Sequence, residues 1–235
     1  MCLSGSRNVF DGSRLARKGD VVVVTLNHRL NMFGYLHLDQ LAPDFKGSGN
    51  VGMLAIAAAL NWVRDNITEF GGDPGNVTIF GQSGGGAKVT TLMAMPAVEG
   101  PFHKAIVQSG SCYLEAMNSD EGTKLARAVL NALDIPEKDA ASLAALLLER
   151  LLAGLEKVAR GPAPANFRPM VDGVVLPDGP FGPAAPAKAG FTPGSNPATP
   201  PRSTAPSSPF LPANRRPDRA CRDADAGSVL RCCLA

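Results

Sequence analysis

The chain has 235 residues, 45% of them hydrophobic and 19% charged, which is enough for one large domain with a sizeable core. A formal net charge of +2 gives no electrostatic ground for a nucleic-acid or acidic-membrane partner, and none is expected. The first residues, MCLSGSRNVFDGSRLARKGD, hold no apolar signal core, and the longest apolar run, Val51 to Leu60, is far short of the ~20 residues that cross a bilayer. A soluble chain is expected, cytoplasmic by default.

The predicted elements begin with DVVVVTLNHRL, where four valines follow Asp20. A short β-branched run bounded by polar residues predicts a strand over Val21 to Leu26, buried on both faces. NVGMLAIAAALNWVRDN predicts a helix over Val51 to Asn66, with Asn50 as its cap and Leu54, Ala58, Leu60, Trp62 and Val63 as its apolar face. GGDPGN is a cluster of loop formers, and VTIF after it is a compact strand ending at Gly81. A glycine-rich turn and AKVTTLMAM then read as strand, sharp turn and helix. HKAIVQSG supplies a third strand near Ala105 to Gln108, and a helix is expected from Ser119 to Leu133. DAASLAALLLERLLAGLEKVA reads as one longer helix, or as two joined near Gly154. Strands alternating with helices imply an α/β fold with a mostly parallel, doubly wound sheet.

Near Lys188 the composition changes. Residues 188–235 carry eight of the 20 prolines, one valine, and seven basic against three acidic side chains, leaving sixteen against eighteen before them. Two regions are therefore expected: a folded domain over 1–187 and a Pro/Arg/Ser-rich tail over 188–235, disordered for most of its length. The five cysteines, Cys2, Cys112, Cys221, Cys232 and Cys233, show neither metal-ligand spacing nor a C-x-x-C pair, so no metal site is expected.

The chemistry concentrates at Gly81-Gln82-Ser83-Gly84-Gly85, a G-x-S-x-G pattern between a predicted strand and a predicted helix. In that setting the serine occupies a strained turn, and the positions two before and two after it must be small because strand and helix approach closely. Ser83 is the candidate nucleophile, Gly81 and Gly85 form the elbow around it, and the Gly84 N–H is the candidate oxyanion donor at the helix N-terminus. Gly81 and Gly86 also have phosphate-loop spacing, but Ala87, Lys88 and Val89 replace the Lys-Ser/Thr pair that reaches phosphate and magnesium. No dinucleotide fingerprint can be laid over these residues.

The run FGGDPGNVTIFGQSGG, Phe70 to Gly85, resembles the nucleophile signature of the type-B carboxylesterases, the α/β-hydrolase group that includes cholinesterases and para-nitrobenzyl esterases. DGSRLARKGDVVVVTLNHRLNMFGYL, GNVGML, ALNWVRDNI, FHKAIVQSGS and FRPMVDGVVLP extend the resemblance over about Ser4 to Ala187. It implies an α/β-hydrolase fold and hydrolysis of a small carboxylic ester through an acyl-enzyme on Ser83, with no metal or organic cofactor. Gln82 stands where the family commonly has glutamate, and Ala55 and Ile56 where it usually has an Asp-Gln pair.

Other departures bear on activity. The HGGG oxyanion loop of the family belongs ahead of SGSRNVFDG, where this sequence has no such segment, and the resemblance fades near Lys188, before the region of the triad acid and histidine. A member truncated at both ends is therefore expected, and one source of the altered tail is a shifted reading frame in an Ala/Pro/Arg-rich gene. Of the three histidines, His28 and His37 precede Ser83, and His103 follows by only 20 residues. No triad histidine or triad acid is assigned: His28 is expected to pack in core or loop, His103 to be structural or solvent-facing, and Asp172 and Asp178 to form turns. Without a base a serine hydroxyl is a poor nucleophile, so the expected esterase is very weak or inactive. A non-catalytic binding or adhesion protein on the same fold is the alternative, and a nucleotide-binding α/β domain ranks behind it.

Overall fold

A computed structural model describes residues 8–110, 116–161 and 165–180, together with the backbone of 230–234. In chain order the elements are α1 (Ser13–Gly19), β1 (Val23–Leu26), α2 (Met32–Tyr35), α3 (Val51–Asn66), β2 (Val77–Gln82), α4 (Gly84–Met93), β3 (Lys104–Gln108), α5 (Ser119–Ala132), α6 (Leu148–Ala159) and β4 (Leu230–Leu234). The strands form one sheet in the order β1-β4-β2-β3, and every pairing is parallel. The sheet is thus the parallel one that alternating strands and helices imply.

β2 is the buried strand, with Val77 and Ile79 fully enclosed. β1 differs from expectation. It begins at Val23 rather than Val21 and is half-buried except at the exposed Thr25, because it lies at one end of the described sheet. β3 lies at the other end, and Ile106 and Val107 on it are exposed. The expected tail falls outside the described residues except for β4, whose backbone enters the sheet between β1 and β2.

α3 spans the expected residues, and of its expected face Leu60 and Val63 turn inward while the rest turns outward. Met53, Ile56, Ala57, Leu60 and Val63 recur at helical spacing and are buried, whereas Leu54, Ala58 and Trp62 face solvent. Trp62 instead packs its ring 5.8 Å from that of Phe70 on the surface. Nor does Asn50 cap the helix with its side chain. Its amide donates to the Met170 carbonyl (2.8 Å) and to Asp172 Oδ2 (2.9 Å), and its Oδ1 accepts from Met170 N (3.1 Å). A fully buried amide needs partners for both ends, and the distant 170–172 loop supplies them.

Two apolar clusters follow from this arrangement. One joins α3, α4 and β2 through Met53, Ile56, Leu60, Ile79, Val89 and Leu92, with Leu176 of the late turn closing it. The other packs Met32, Leu36 and Leu38 against Ala126, Val129 and Leu130 of α5, with Leu143 and Val158 beneath. α5 begins with a capping box in which Asn118 and Glu121 exchange side-chain-to-backbone hydrogen bonds. The expected long helix after it is broken elsewhere than at Gly154. A 3-10 segment covers Glu137–Ala145, Leu146 and Leu147 are extended, and α6 starts at Leu148. Gly154 lies inside α6, where a Cβ would meet Leu133 Cδ2 at 2.5 Å; its smallness permits the approach of the two helices.

Candidate active site

Ser83 sits between the last residue of β2 and the first of α4, with φ 53° and ψ −116°. A positive φ at a non-glycine residue carries strain and is held by its surroundings. Here the surroundings are backbone. The Ser83 N–H donates to the Gln108 carbonyl at the end of β3 (2.8 Å), and the Ser83 carbonyl accepts from Ala87 N (3.0 Å) as the first bond of α4. Both main-chain groups of the serine are therefore pinned, one to the neighbouring strand and one to the helix.

The glycines make room for that pinning. A Cβ on Gly81 would lie 2.5 Å from the Gly85 carbonyl oxygen and 2.9 Å from Gly86 N, so strand and helix touch backbone to backbone there. Gly86 and Gly110 repeat the requirement one layer over. A Cβ on Gly86 would meet Gln108 O at 2.9 Å, and one on Gly110 would meet Ala87 N at 2.9 Å. Ser109 also adopts a positive φ, 52°, so the end of β3 bends sharply beside the elbow. Gln108, Ser109 and Gly110 received no role from the sequence. The QSG run after a strand is a signal that could have found them, since a Ser-Gly step directly after a strand marks a tight turn.

Ser83 is exposed, and its hydroxyl makes no cap bond to the helix it begins. The side chain thus stands available at the carboxyl end of the sheet. The first N–H groups of α4, beginning with Gly84, lack intrahelical acceptors by the geometry of any helix start. Together with the positive end of the helix dipole they suit an anion that develops next to Ser83. Lys88, one turn further on, reaches back so that its Nζ donates to the Gly84 carbonyl at 3.4 Å.

The histidines separate by location. His103 accepts the Val77 N–H on Nδ1 at 3.1 Å, at the start of β2. Ser83 follows the other end of that strand, roughly 20 Å away at the rise of an extended chain, so His103 serves the sheet and not the serine. His37 is buried, with Nδ1 3.2 Å from Asp39 Oδ1, and its ring lies against Gly49 and Gly122. His28 is half-buried just beyond the carboxyl end of β1, and its Nδ1 lies 2.8 Å from the Arg29 carbonyl. Among the described residues no imidazole or carboxylate is hydrogen-bonded to the Ser83 hydroxyl.

Asp172 closes a turn. Its Oδ1 accepts from the amides of Val174 (3.0 Å), Val175 (2.8 Å) and Leu176 (3.0 Å), while Oδ2 accepts from Asn50. Burial by itself raises this carboxyl, but the Asn50 hydrogen bond and the three amides outweigh it and hold the group below the usual carboxylate range. Asp178 is exposed.

Comparison with known proteins bears on the family and the fold. The model of the carboxylesterase family matches residues 1–189. The chain is 42% identical over 182 residues to a para-nitrobenzyl esterase of Bacillus subtilis (strain 168), covering 75% of this chain and 36% of that protein. It is 38% identical to Neuroligin-2 of Mus musculus over 76% of this chain and 21% of that protein. Among solved structures, the Geobacillus stearothermophilus carboxylesterase EST55 at pH 6.2 superposes with a TM-score of 0.71 at 41% identity, covering 77% of this chain and 37% of that one. The chain thus spans about a third of the length of the esterases it matches. On these grounds it belongs to the carboxylesterase family and carries part of the α/β-hydrolase fold.

Proposed function

We propose that Ser83 is the nucleophile of carboxylic ester hydrolysis through an acyl-enzyme, with the Gly84 N–H as one oxyanion donor. The observation that carries this reading is the strained, exposed serine whose own hydroxyl is left out of the helix cap. A backbone held at φ 53° by bonds to a strand and a helix has a cost, and an acyl-transfer site gives that cost a purpose. The substrate class is a small carboxylic ester, as family membership supports.

Turnover by this chain is slow in the same proposal. The Ser83 hydroxyl has no hydrogen-bonded base among the described residues, and the positions that match the family pattern yield neither a triad acid nor a triad histidine. Loss of a triad member leaves ~10³–10⁴-fold acceleration over water, supplied by oxyanion donors and binding. A non-catalytic binding role on the same fold is the second reading, and the strain at Ser83 weighs against it, since a binding surface has no need of that backbone.

Intact-mass analysis after treatment with a fluorophosphonate probe tests the assignment, with Ser83→Ala alongside. A single adduct on the wild type and none on the variant is the expected result. Equal adducts on both would move the reactive group elsewhere, and no adduct on either would leave the elbow without chemistry.

A further inference from the structure

Three glycines in a row open α4, and main chain walls in two of them. A Cβ on Gly81 would meet the Gly85 carbonyl oxygen at 2.5 Å, so Gly85 is pressed against β2. A Cβ on Gly86 would meet Gln108 O at 2.9 Å and Gly110 Cα at 3.0 Å, so Gly86 is pressed against the end of β3. Gly84, which carries the oxyanion N–H, is held differently. Outside the backbone of its own helix, and among the described residues, a Cβ there would meet the end of one side chain, Lys88 Nζ at 3.8 Å. We propose that Lys88 is a positioning residue for the oxyanion donor, its ammonium group holding Gly84 in place; this rests on Ser83 being the nucleophile.

Lys88 Nζ donates to the Gly84 carbonyl at 3.4 Å, a long bond that the charge strengthens. Helix geometry brings the two together. Side chains lean toward the N-terminus and residues four apart share a face, so Lys88 lies over Gly84. The Gly84 carbonyl belongs to the peptide plane that follows the glycine. The plane before it, which carries the Gly84 N–H, is tied at its carbonyl end, where Ser83 O accepts from Ala87 N at 3.0 Å. The two dihedrals of Gly84 are thus bracketed by a bond on either side.

Glycine loses more conformational freedom on folding than any other residue, so a first turn of Gly-Gly-Gly gains more from such a tether than an ordinary turn does. Helix electrostatics does not account for Lys88. A cation near the N-terminal end of a helix opposes the dipole, the side chains that suit that end are acidic, and α4 has none in its first turn. Its bond to the residue beside the nucleophile does account for it.

The consequence falls on rate and not on binding. An oxyanion donor is most effective when it is already aimed as charge develops on the carbonyl oxygen, because a donor that must first be ordered gives up part of its stabilisation. A looser Gly84 N–H therefore slows the reaction at Ser83 Oγ and leaves the affinity for the reagent as it was. Losing such a donor outright costs about 100-fold or more, and loosening it costs a part of that.

The test measures fluorophosphonate labelling of the full chain against reagent concentration, which separates the maximal rate from the half-saturating concentration. Wild type is compared with Lys88→Met, Lys88→Arg, Gly84→Ala and the double variant Lys88→Met/Gly84→Ala, and NMR order parameters of the Gly84 and Gly85 amides are measured for wild type and Lys88→Met. Lys88→Met is expected to lower the maximal rate about fivefold or more, with the half-saturating concentration and melting temperature unchanged and both order parameters reduced. Lys88→Arg, which keeps a cationic donor on a long stem, retains most of the rate. Gly84→Ala narrows the backbone by itself at a helical position, so in its presence Lys88→Met causes no further loss. An unchanged rate and unchanged order parameters in Lys88→Met overturn the proposal. So does a loss that persists in full beside Gly84→Ala, which would show that the ammonium acts by its charge and not by holding the glycine. A raised half-saturating concentration at an unchanged maximal rate assigns Lys88 to reagent binding, and a loss that comes with a lowered melting temperature assigns it to the folding of α4; either result overturns the proposal. Absence of any adduct on wild type removes the Ser83 assignment, while the order parameters still decide whether Lys88 holds Gly84.

Discussion

Ser83 is reactive only if its backbone stays where the structure holds it, and Gly81 is the residue on which that depends. A methyl group at Gly81 would press on the Gly85 carbonyl oxygen at 2.5 Å and on Gly86 N at 2.9 Å. Both neighbours are main chain, so no rotamer change relieves the clash; α4 must move away from β2. Overpacking of this kind costs about 1–3 kcal/mol. The shift also withdraws the Gly84 N–H from the serine. Gly81→Ala is therefore expected to lower the midpoint of urea unfolding and to reduce fluorophosphonate labelling of Ser83 by about tenfold or more. A variant as stable and as reactive as wild type would mean that the elbow tolerates a wider separation than the structure shows. Gly84→Ala is the useful contrast, because among the described residues a Cβ there would meet the side-chain end of Lys88, at 3.8 Å, rather than main chain.

At the level of elements, the sequence disclosed what depends on local chemistry and hid what depends on distant partners. G-x-S-x-G, strand VTIF and the following helix were legible because each is specified by neighbours within a few residues. The inward face of α3 was not, since nearly every position from Val51 to Val63 is apolar, and only contact with β2 and α4 decides that Ile56 goes in and Trp62 goes out. Asn50 looked like a helix cap because asparagine before an apolar run usually is one; its true partners are 120 residues away. That long-range link gives a pH dependence. The Asp172 carboxyl is held below the usual carboxylate range, so it contributes stability above the unfolded value near 3.9, and the contribution is lost as pH falls through the lower folded value. Urea midpoints of wild type and Asp172→Asn are expected to differ most above about pH 5 and to converge below about pH 3. A gap that stays constant across that range would show that the carboxylate charge has no part in the turn.

The whole molecule turns on a strand that composition had assigned to a disordered tail. Leu230–Leu234 is the only described segment after Pro180, and it lies between β1 and β2, pairing with both. β1 is four residues long and half-buried, and it has no other strand beside it in the described sheet. Without β4, the inner edges of β1 and β2 would each present a row of unpaired amides and carbonyls, which favours pairing with another chain. The same strand pairs with β2 up to Gly81, two residues before Ser83, so the support of the elbow depends on it as well. Deletion of residues 230–235 is expected to speed amide hydrogen exchange selectively in β1 and β2, to leave the α5–α6 cluster protected, and to shift the protein toward oligomers in sizing experiments. The second apolar cluster uses no residue of the sheet, which is why its protection should persist. If exchange in β1 and β2 is unchanged by the deletion, the strands are held by their helices alone, and the slot between them is filled by something other than the end of this chain.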